Sequence, residues 1–194
     1  MPRLSREESR ARTRELLLAA AMQAFGRDGY AVTSVEKIAD AAGFSKGALY
    51  SNFDSKEAIF LAVLDRQGQE SVDHLLTAIN DACDAAAIVE LLAVWADERS
   101  QSGIWSLTIL EHARTAGADA PSLARQREIL RGHWRQLGER VAARLPGMTA
   151  DGETIGALLH EIAYAPALTF MKRPTAGDLM RLALAPWLCK PASA

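Results

Sequence analysis

Residues 33–60, TSVEKIADAAGFSKGALYSNFDSKEAIF, divide themselves into short helices by their own chemistry. Val35, Ile38, Ala39 and Ala42 recur at helical spacing over about 34–42. Thr33 followed by Glu36 reads as a capping box for that helix, and Gly43 suits the left-handed residue that stops it. Ser45 can cap the next helix, whose apolar contacts are Leu49 and Phe53. Asp54 followed by Glu57 reads as the start of another, carrying Ile59, Phe60, Val63 and Leu64. Ahead of the stretch, a helix over about 10–26 places Leu17, Ala20, Ala21, Ala24 and Phe25 on one face. Together these segments close a small core by about residue 65.

The helix that begins after Ser45 is the odd one. At about 100° per residue, Leu49 and Phe53 point into that core, and the opposite direction holds Gly47, Ala48 and Ser51, flanked by Tyr50 and Asn52. A solvated face would carry Glu, Lys and Gln. Small residues between hydrogen-bonding tips suit a close approach to a large surface, and the DNA major groove, about 12 Å wide, admits one helix. Two short helices joined by a glycine turn form the helix-turn-helix pattern, whose second helix enters that groove. A hairpin packed on another helix of the same chain would use small residues too.

The flanking charges favour DNA. Arg3, Arg6, Arg10, Arg12 and Arg14 precede the first helix against only Glu7 and Glu8, so a basic arm could follow the backbone or the minor groove. A disordered solubilising tail is the blander reading of the same residues. Lys56 sits in the first turn of its helix, against the helix dipole, and a nearby phosphate would compensate it.

The remainder excludes several classes. The 194 residues carry a formal net charge of −2, so a basic patch must be local. Cys83 and Cys189 have no partners at metal-ligand spacing, and no disulfide or metal site is expected. No apolar run reaches membrane-spanning length and no signal-type segment is visible, so the sequence reads as a soluble, cytoplasmic, unprocessed chain. His160-Glu161 lacks the second histidine of a helical zinc motif, because position 164 is Tyr. With four scattered histidines, no catalytic residues and no cofactor are expected. Breaks at Gly103, at 117–121, 146–152 and 174–177 leave helix-length segments, so the fold class is all-α with about nine helices.

Phe25-Gly26, Gly29-Tyr30, Thr33-Ser34-Val35, Ile38-Ala39, Ala42-Gly43-Phe44-Ser45-Lys46-Gly47, Leu49-Tyr50, Phe53 and Ser55-Lys56-Glu57 together resemble the DNA-binding domain of the TetR family, over about residues 10–65. The resemblance implies a helix-turn-helix domain at 1–60 and a helical effector-binding and dimerisation domain at 61–194. It implies a homodimeric regulator, usually a repressor, released from a palindromic operator on double-stranded DNA by a small-molecule effector. Tyr50 and Lys56 match phosphate-holding positions, Lys46, Gly47 and Ala48 match base-facing ones, and Thr33 and Ser34 match backbone or nearby base contacts. Ser45, Ser51 and Asn52 complete the expected DNA face, although the family usually has histidine at the last. Lys46 alone can reach far, to guanine O6 or N7, so shape readout is expected to contribute.

The region enclosing the family's effector cavity holds Trp95, Trp105 and His112, which are candidate lining residues, although plain core is the commoner role for such residues. Segments 152–172 and 176–189 carry Gly156, Leu159, Ala163, Phe170, Leu182 and Trp187 on wide faces. Helices apolar on more than one side need a second partner, and the resemblance supplies a four-helix homodimer interface. Pro166 is expected to kink the first of the two. An adaptor controlled by a protein partner, with no small-molecule ligand, fits the same sequence.

Overall fold

The computed structural model describes residues 5–101, 103–145, 147–170 and 172–188; Arg3 and Cys189 lie outside these. The described residues form α1 (Arg6–Val32), α2 (Val35–Ala41), α3 (Lys46–Tyr50), α4 (Lys56–Asp81), α5 (Ala85–Gln101), α6 (Ile104–Ala116), α7 (Pro121–Arg144), α8 (Gly152–Thr169) and α9 (Ala176–Leu184). A 3-10 turn at Ala185–Trp187 follows, and no strand occurs among the described residues. The all-α expectation of about nine helices holds. None of these helices is long and apolar enough to cross a membrane.

The chain gathers into two compact units. One comprises the residues up to Arg66 with Leu107–Gln126; the other comprises Gln67–Ser106 with the residues from Arg127 onward. In the first, α1 is longer than the sequence suggested at both ends. Ser5 and Glu8 form a reciprocal capping box that starts it at Arg6, so the Arg-rich segment is helical from there and not an extended arm. Gly29, at φ 80°, kinks α1 before its last turn. That kink brings Tyr30 back onto the core, where Phe25, Tyr30 and Phe60 meet with ring centroids 5.0 to 5.9 Å apart. α6 joins this unit through His112, whose ring lies 5.0 Å from Tyr30 and 4.7 Å from Phe60. The Thr108 hydroxyl donates to the Phe25 carbonyl at 3.3 Å, and Glu111 accepts from the Ala31 N–H at 3.0 Å.

The second unit is built by close helix approach. Its core joins Leu75 and Ile79 of α4, Ile88 and Leu92 of α5, Leu137 and Val141 of α7, Leu159 of α8 and Met180 of α9. α7 and α8 touch backbone to backbone: a Cβ on Gly138 would sit 1.8 Å from the Gly152 carbonyl oxygen, and one on Gly156 would sit 1.9 Å from that of Trp134. α9 closes on α5 where the Gly177 N–H donates to Asp97 at 2.7 Å. Arg144, at the end of α7, donates to the carbonyls of Ile79, Asn80 and Ala82 at 2.6 to 2.9 Å and so closes the C-terminus of α4. Pro166 is buried within α8, which continues to Thr169.

Candidate nucleic-acid interface

Local chemistry sets α2 and α3 in place, with two amendments to the expected caps. Ser34 caps α2 by accepting the Lys37 N–H at 3.2 Å. Thr33 is only 1% exposed, and its hydroxyl is directed to the carbonyls of Gly29 and Ala24 at 2.7 and 3.2 Å. Thr33 therefore ties the end of α1 to α2 and has no face open to a phosphate, which corrects its expected place on the DNA face. The first turn of α4 is likewise capped by Ser55, one residue later than expected, through the Ala58 N–H at 3.1 Å. Gly43 adopts φ 76° as expected, with open space where a Cβ would lie, so only its backbone conformation requires glycine.

α3 has five residues. Ser45 caps it through the Ala48 N–H at 3.2 Å, and Leu49 and Phe53 anchor its inner side. Lys46, Gly47, Tyr50 and Ser51 are exposed, while Ala48 and Asn52 are half-buried. The stripe anticipated from helical angles is thus open on one side of α3. Its far end is held by two arginines of α1, four residues apart. Arg10 donates to the Ser51 carbonyl at 3.1 Å; Arg14 donates to the Asn52 carbonyl at 2.9 Å and lies 4.1 Å over the Phe53 ring. Both guanidiniums satisfy carbonyls at a helix C-terminus, where positive charge is favourable. Sequence reasoning had read them as either a DNA-following arm or a solubilising tail. The overlooked signal is that α3 ends without a basic residue of its own.

Several other candidate contacts have intramolecular partners, among them Ser51, whose hydroxyl donates to the Ala48 carbonyl at 2.8 Å. Asn52 donates from Nδ2 to the Ala48 carbonyl at 2.8 Å and so reinforces the end of α3. Lys56 places Nζ 4.1 Å over the Tyr30 ring, and partial burial there lowers its pKa from the usual lysine range. Lys46 forms an ion pair with Glu36 of α2, which sequence reasoning had placed only in a capping box with Thr33. A hydrogen bond from Lys46 holds the Glu36 carboxyl below its usual range, and the same contact raises the Lys46 ammonium. Lys37, exposed on α2, was also missed; its ammonium donates to the Val32 carbonyl at 3.3 Å.

The three effector candidates divide between the units. His112 is completely buried in the first unit, where an imidazole N–H donates to Gln126 Oε1 at 2.6 Å. Burial lowers its pKa, so the ring is neutral at ordinary pH. Trp95 and Trp105 belong to the second unit and are half-buried. No group of His, Cys, Asp and Glu suited to a metal occurs among the described residues.

A three-helix head that presents a short capped helix beyond a glycine turn, with its open side lined by small residues, hydroxyls and a lysine, is a helix-turn-helix module. Residues 17–63 match the model of the family described as bacterial regulatory proteins, tetR family. Two curated relatives are named as HTH-type transcriptional regulators. The HTH-type transcriptional activator FasR of Mycolicibacterium smegmatis is 41% identical over 80 residues, 41% of this chain and 33% of FasR. The HTH-type transcriptional regulator TtgR of Pseudomonas putida is 38% identical over 78 residues, 40% of this chain and 36% of TtgR. The chain thus spans about a third of the length of the curated relatives it matches. A regulator FadR from Bacillus subtilis, solved in complex with stearoyl-CoA, superposes with a TM-score of 0.62 at 18% identity, over 92% of this chain and 99% of that one. Over residues 17–63 the chain is thus similar to the TetR family.

Proposed function

We propose that this protein is a ligand-responsive transcriptional repressor that binds a palindromic operator as a homodimer in the cytoplasm and is released by a small, largely apolar effector. The observation that carries the DNA reading is α3 itself, with Gly47, Tyr50 and Ser51 open beside Lys46. A helix with this profile can enter a major groove, and Ser34, Tyr50, Ser51 and Lys56 then lie where phosphates would meet them. Ser45 and Asn52 act by fixing the ends of α3. Residues 1–60 read DNA in this scheme, and 61–194 receive the signal and dimerise. The Leu107–Gln126 segment belongs to the same compact unit as the head, which supports it as the route by which the signal arrives.

Two further features support the assembly. Leu158, Leu168, Phe170 and Leu182 are exposed on α8 and α9, with Phe170 82% and Leu182 73% exposed. α8 and α9 also carry a largely apolar groove of about 350 Å³ lined by Ile162, Ala165, Pro166 and Leu179, with Glu161 and Thr169 at it as well. A second copy would cover this face over 152–172 and 176–189, of which Met171 and Cys189 are outside the described residues. The stearoyl-CoA held by the Bacillus subtilis neighbour supports a small-molecule signal.

Selection of random double-stranded DNA by the purified protein tests the reading. A palindrome whose half-sites lie about 34–36 Å apart is the expected product. On that operator Lys46→Ala is expected to cost about 1–3 kcal/mol, with little loss on scrambled DNA. Equal losses on both would remove Lys46 as a base reader, and a selection that yields no palindrome would overturn the proposal. A reporter placed behind the operator reads the sign of regulation.

A further inference from the structure

Lys46 is the candidate base reader, yet it does not stand alone on the open side of the head. Its ammonium pairs with the Glu36 carboxylate of α2 across the Gly43 turn, and it lies 5.9 Å from the centroid of the Tyr50 ring. The two charged side chains are equally open, at 54% and 53% exposed. The hydrogen bond from Lys46, with smaller contributions from the Glu36 backbone and the Ser34 hydroxyl, holds the carboxyl below its usual range. Glu36 is therefore ionised at neutral pH. It is bonded to two residues already assigned to DNA, Ser34 and Lys46, and it shares their exposure.

Neither stability nor phosphate binding accounts for a carboxylate at this place. An ion pair so exposed contributes little to stability. A carboxylate repels the phosphates that supply non-specific affinity, and it offsets the lysine that would attract them. What it can do in a major groove is accept from a base amine, and the cytosine N4 amine is its usual partner there. An ammonium suits the O6 and N7 acceptors of guanine. One G·C pair displays both patterns on a single major-groove edge, the guanine acceptors beside the cytosine donor. An ammonium and a carboxylate held in contact are the complement of that edge. The thymine of an A·T pair would instead present O4, an acceptor to which an ionised carboxylate has nothing to donate.

We infer that Glu36 is a second specificity-determining residue of the head: with Lys46 on guanine O6 or N7, its carboxylate accepts from the N4 amine of the paired cytosine, and its charge weakens binding wherever that amine is missing. This rests on the DNA reading above and specifies one base pair of each half-site.

Selection of random duplexes by the unaltered protein and by Lys46→Ala locates the pair, as the G·C position whose preference Lys46→Ala relaxes. At that position N4-methylcytosine keeps the base pair and replaces the groove-facing N–H with a methyl group. In fluorescence anisotropy it is expected to weaken the unaltered protein about tenfold and Glu36→Ala by no more than about twofold. Glu36→Ala, at an exposed helical position, should also lose about threefold on the operator and gain about threefold on scrambled DNA, with thermal unfolding unchanged. A methylation penalty equal in both proteins, or no gain on scrambled DNA, would overturn the inference and leave the operator reading standing. So would a selection in which Lys46→Ala relaxes an A·T pair. Equal losses on both DNAs with a lowered unfolding temperature would make Glu36 a support of α3 alone, and would overturn it too. An unaltered protein that selects no palindrome would overturn the DNA reading itself, and the inference with it.

Discussion

The two units reach their folds by different routes. The head is assembled from short-range chemistry: Ser5, Ser34, Ser45 and Ser55 each cap a helix within three residues, and Gly43 reverses the chain between α2 and α3. The second unit is assembled from contacts far apart in sequence, above all glycines that let one backbone lie on another. A cap tolerates neighbours, because only one side chain and one N–H are involved. A backbone contact tolerates almost nothing, because neither side can move without moving a helix. The same substitution, one added methyl group, should therefore have opposite consequences at different positions.

Gly156→Ala is the largest expected effect. Its Cβ would lie 1.9 Å from the Trp134 carbonyl oxygen, so α7 and α8 must separate. A loss of about 3 kcal/mol or more is expected in urea unfolding of the second unit. Gly132→Ala is the control on α7, with nothing within 4 Å of the new atom. Relief of helix-interior glycine should stabilise by about 0.5–1 kcal/mol there. If both substitutions proved equally mild, α7 and α8 would not be packed at contact distance.

The head was more legible in the sequence than the second unit for the same reason. Leu49, Phe53, Gly43 and Ser45 announce their roles within ten residues of one another, so periodicity and capping rules find them. Thr33 was misjudged because two adjacent hydroxyl residues offer the same signal; the choice between them depends on Gly29 and Ala24 carbonyls that only the folded α1 supplies. Arg10 and Arg14 were misjudged because their acceptors, at 51 and 52, are about forty residues away. The cluster of Trp134, His160 and Tyr164 was hardest to read, since it joins α7 to α8 and its members look like ordinary core when taken singly.

The hydroxyl pair offers a sharper test. Thr33→Val keeps the shape of a buried side chain but leaves two carbonyls without their donor, at an expected cost of about 1–3 kcal/mol. Ser34→Ala removes one cap and should cost about 1 kcal/mol, with faster hydrogen exchange confined to the first turn of α2. Should Ser34→Ala be the costlier of the two, the assignment of the cap would be reversed. Arg14→Gln comes next, since it loses a charged hydrogen bond and the stack on Phe53. About 1 kcal/mol of head stability is expected to go, with the salt dependence of DNA binding unchanged. A salt slope lower by about one, at unchanged stability, would instead return Arg14 to the phosphate-contacting role.

The smallest effect is a slope. His112 in the head and His160 in the second unit both have pKa values lowered by burial, so each is neutral when folded. The folded pKa lies below the unfolded one, near 6.5, so unfolding takes up a proton as pH falls. Each histidine's contribution is therefore complete above about pH 6.5 and lost as pH falls through its folded value. His112→Leu should remove the head's share of that slope and leave the second unit's share intact. Hydrogen exchange between pH 7 and 5, followed separately at amides of α6 and α8, can tell the two apart. A slope that disappeared from both helices together would mean that the units open as one, and the contrast between a locally capped head and a globally packed second unit would then describe how they are built but not how they unfold.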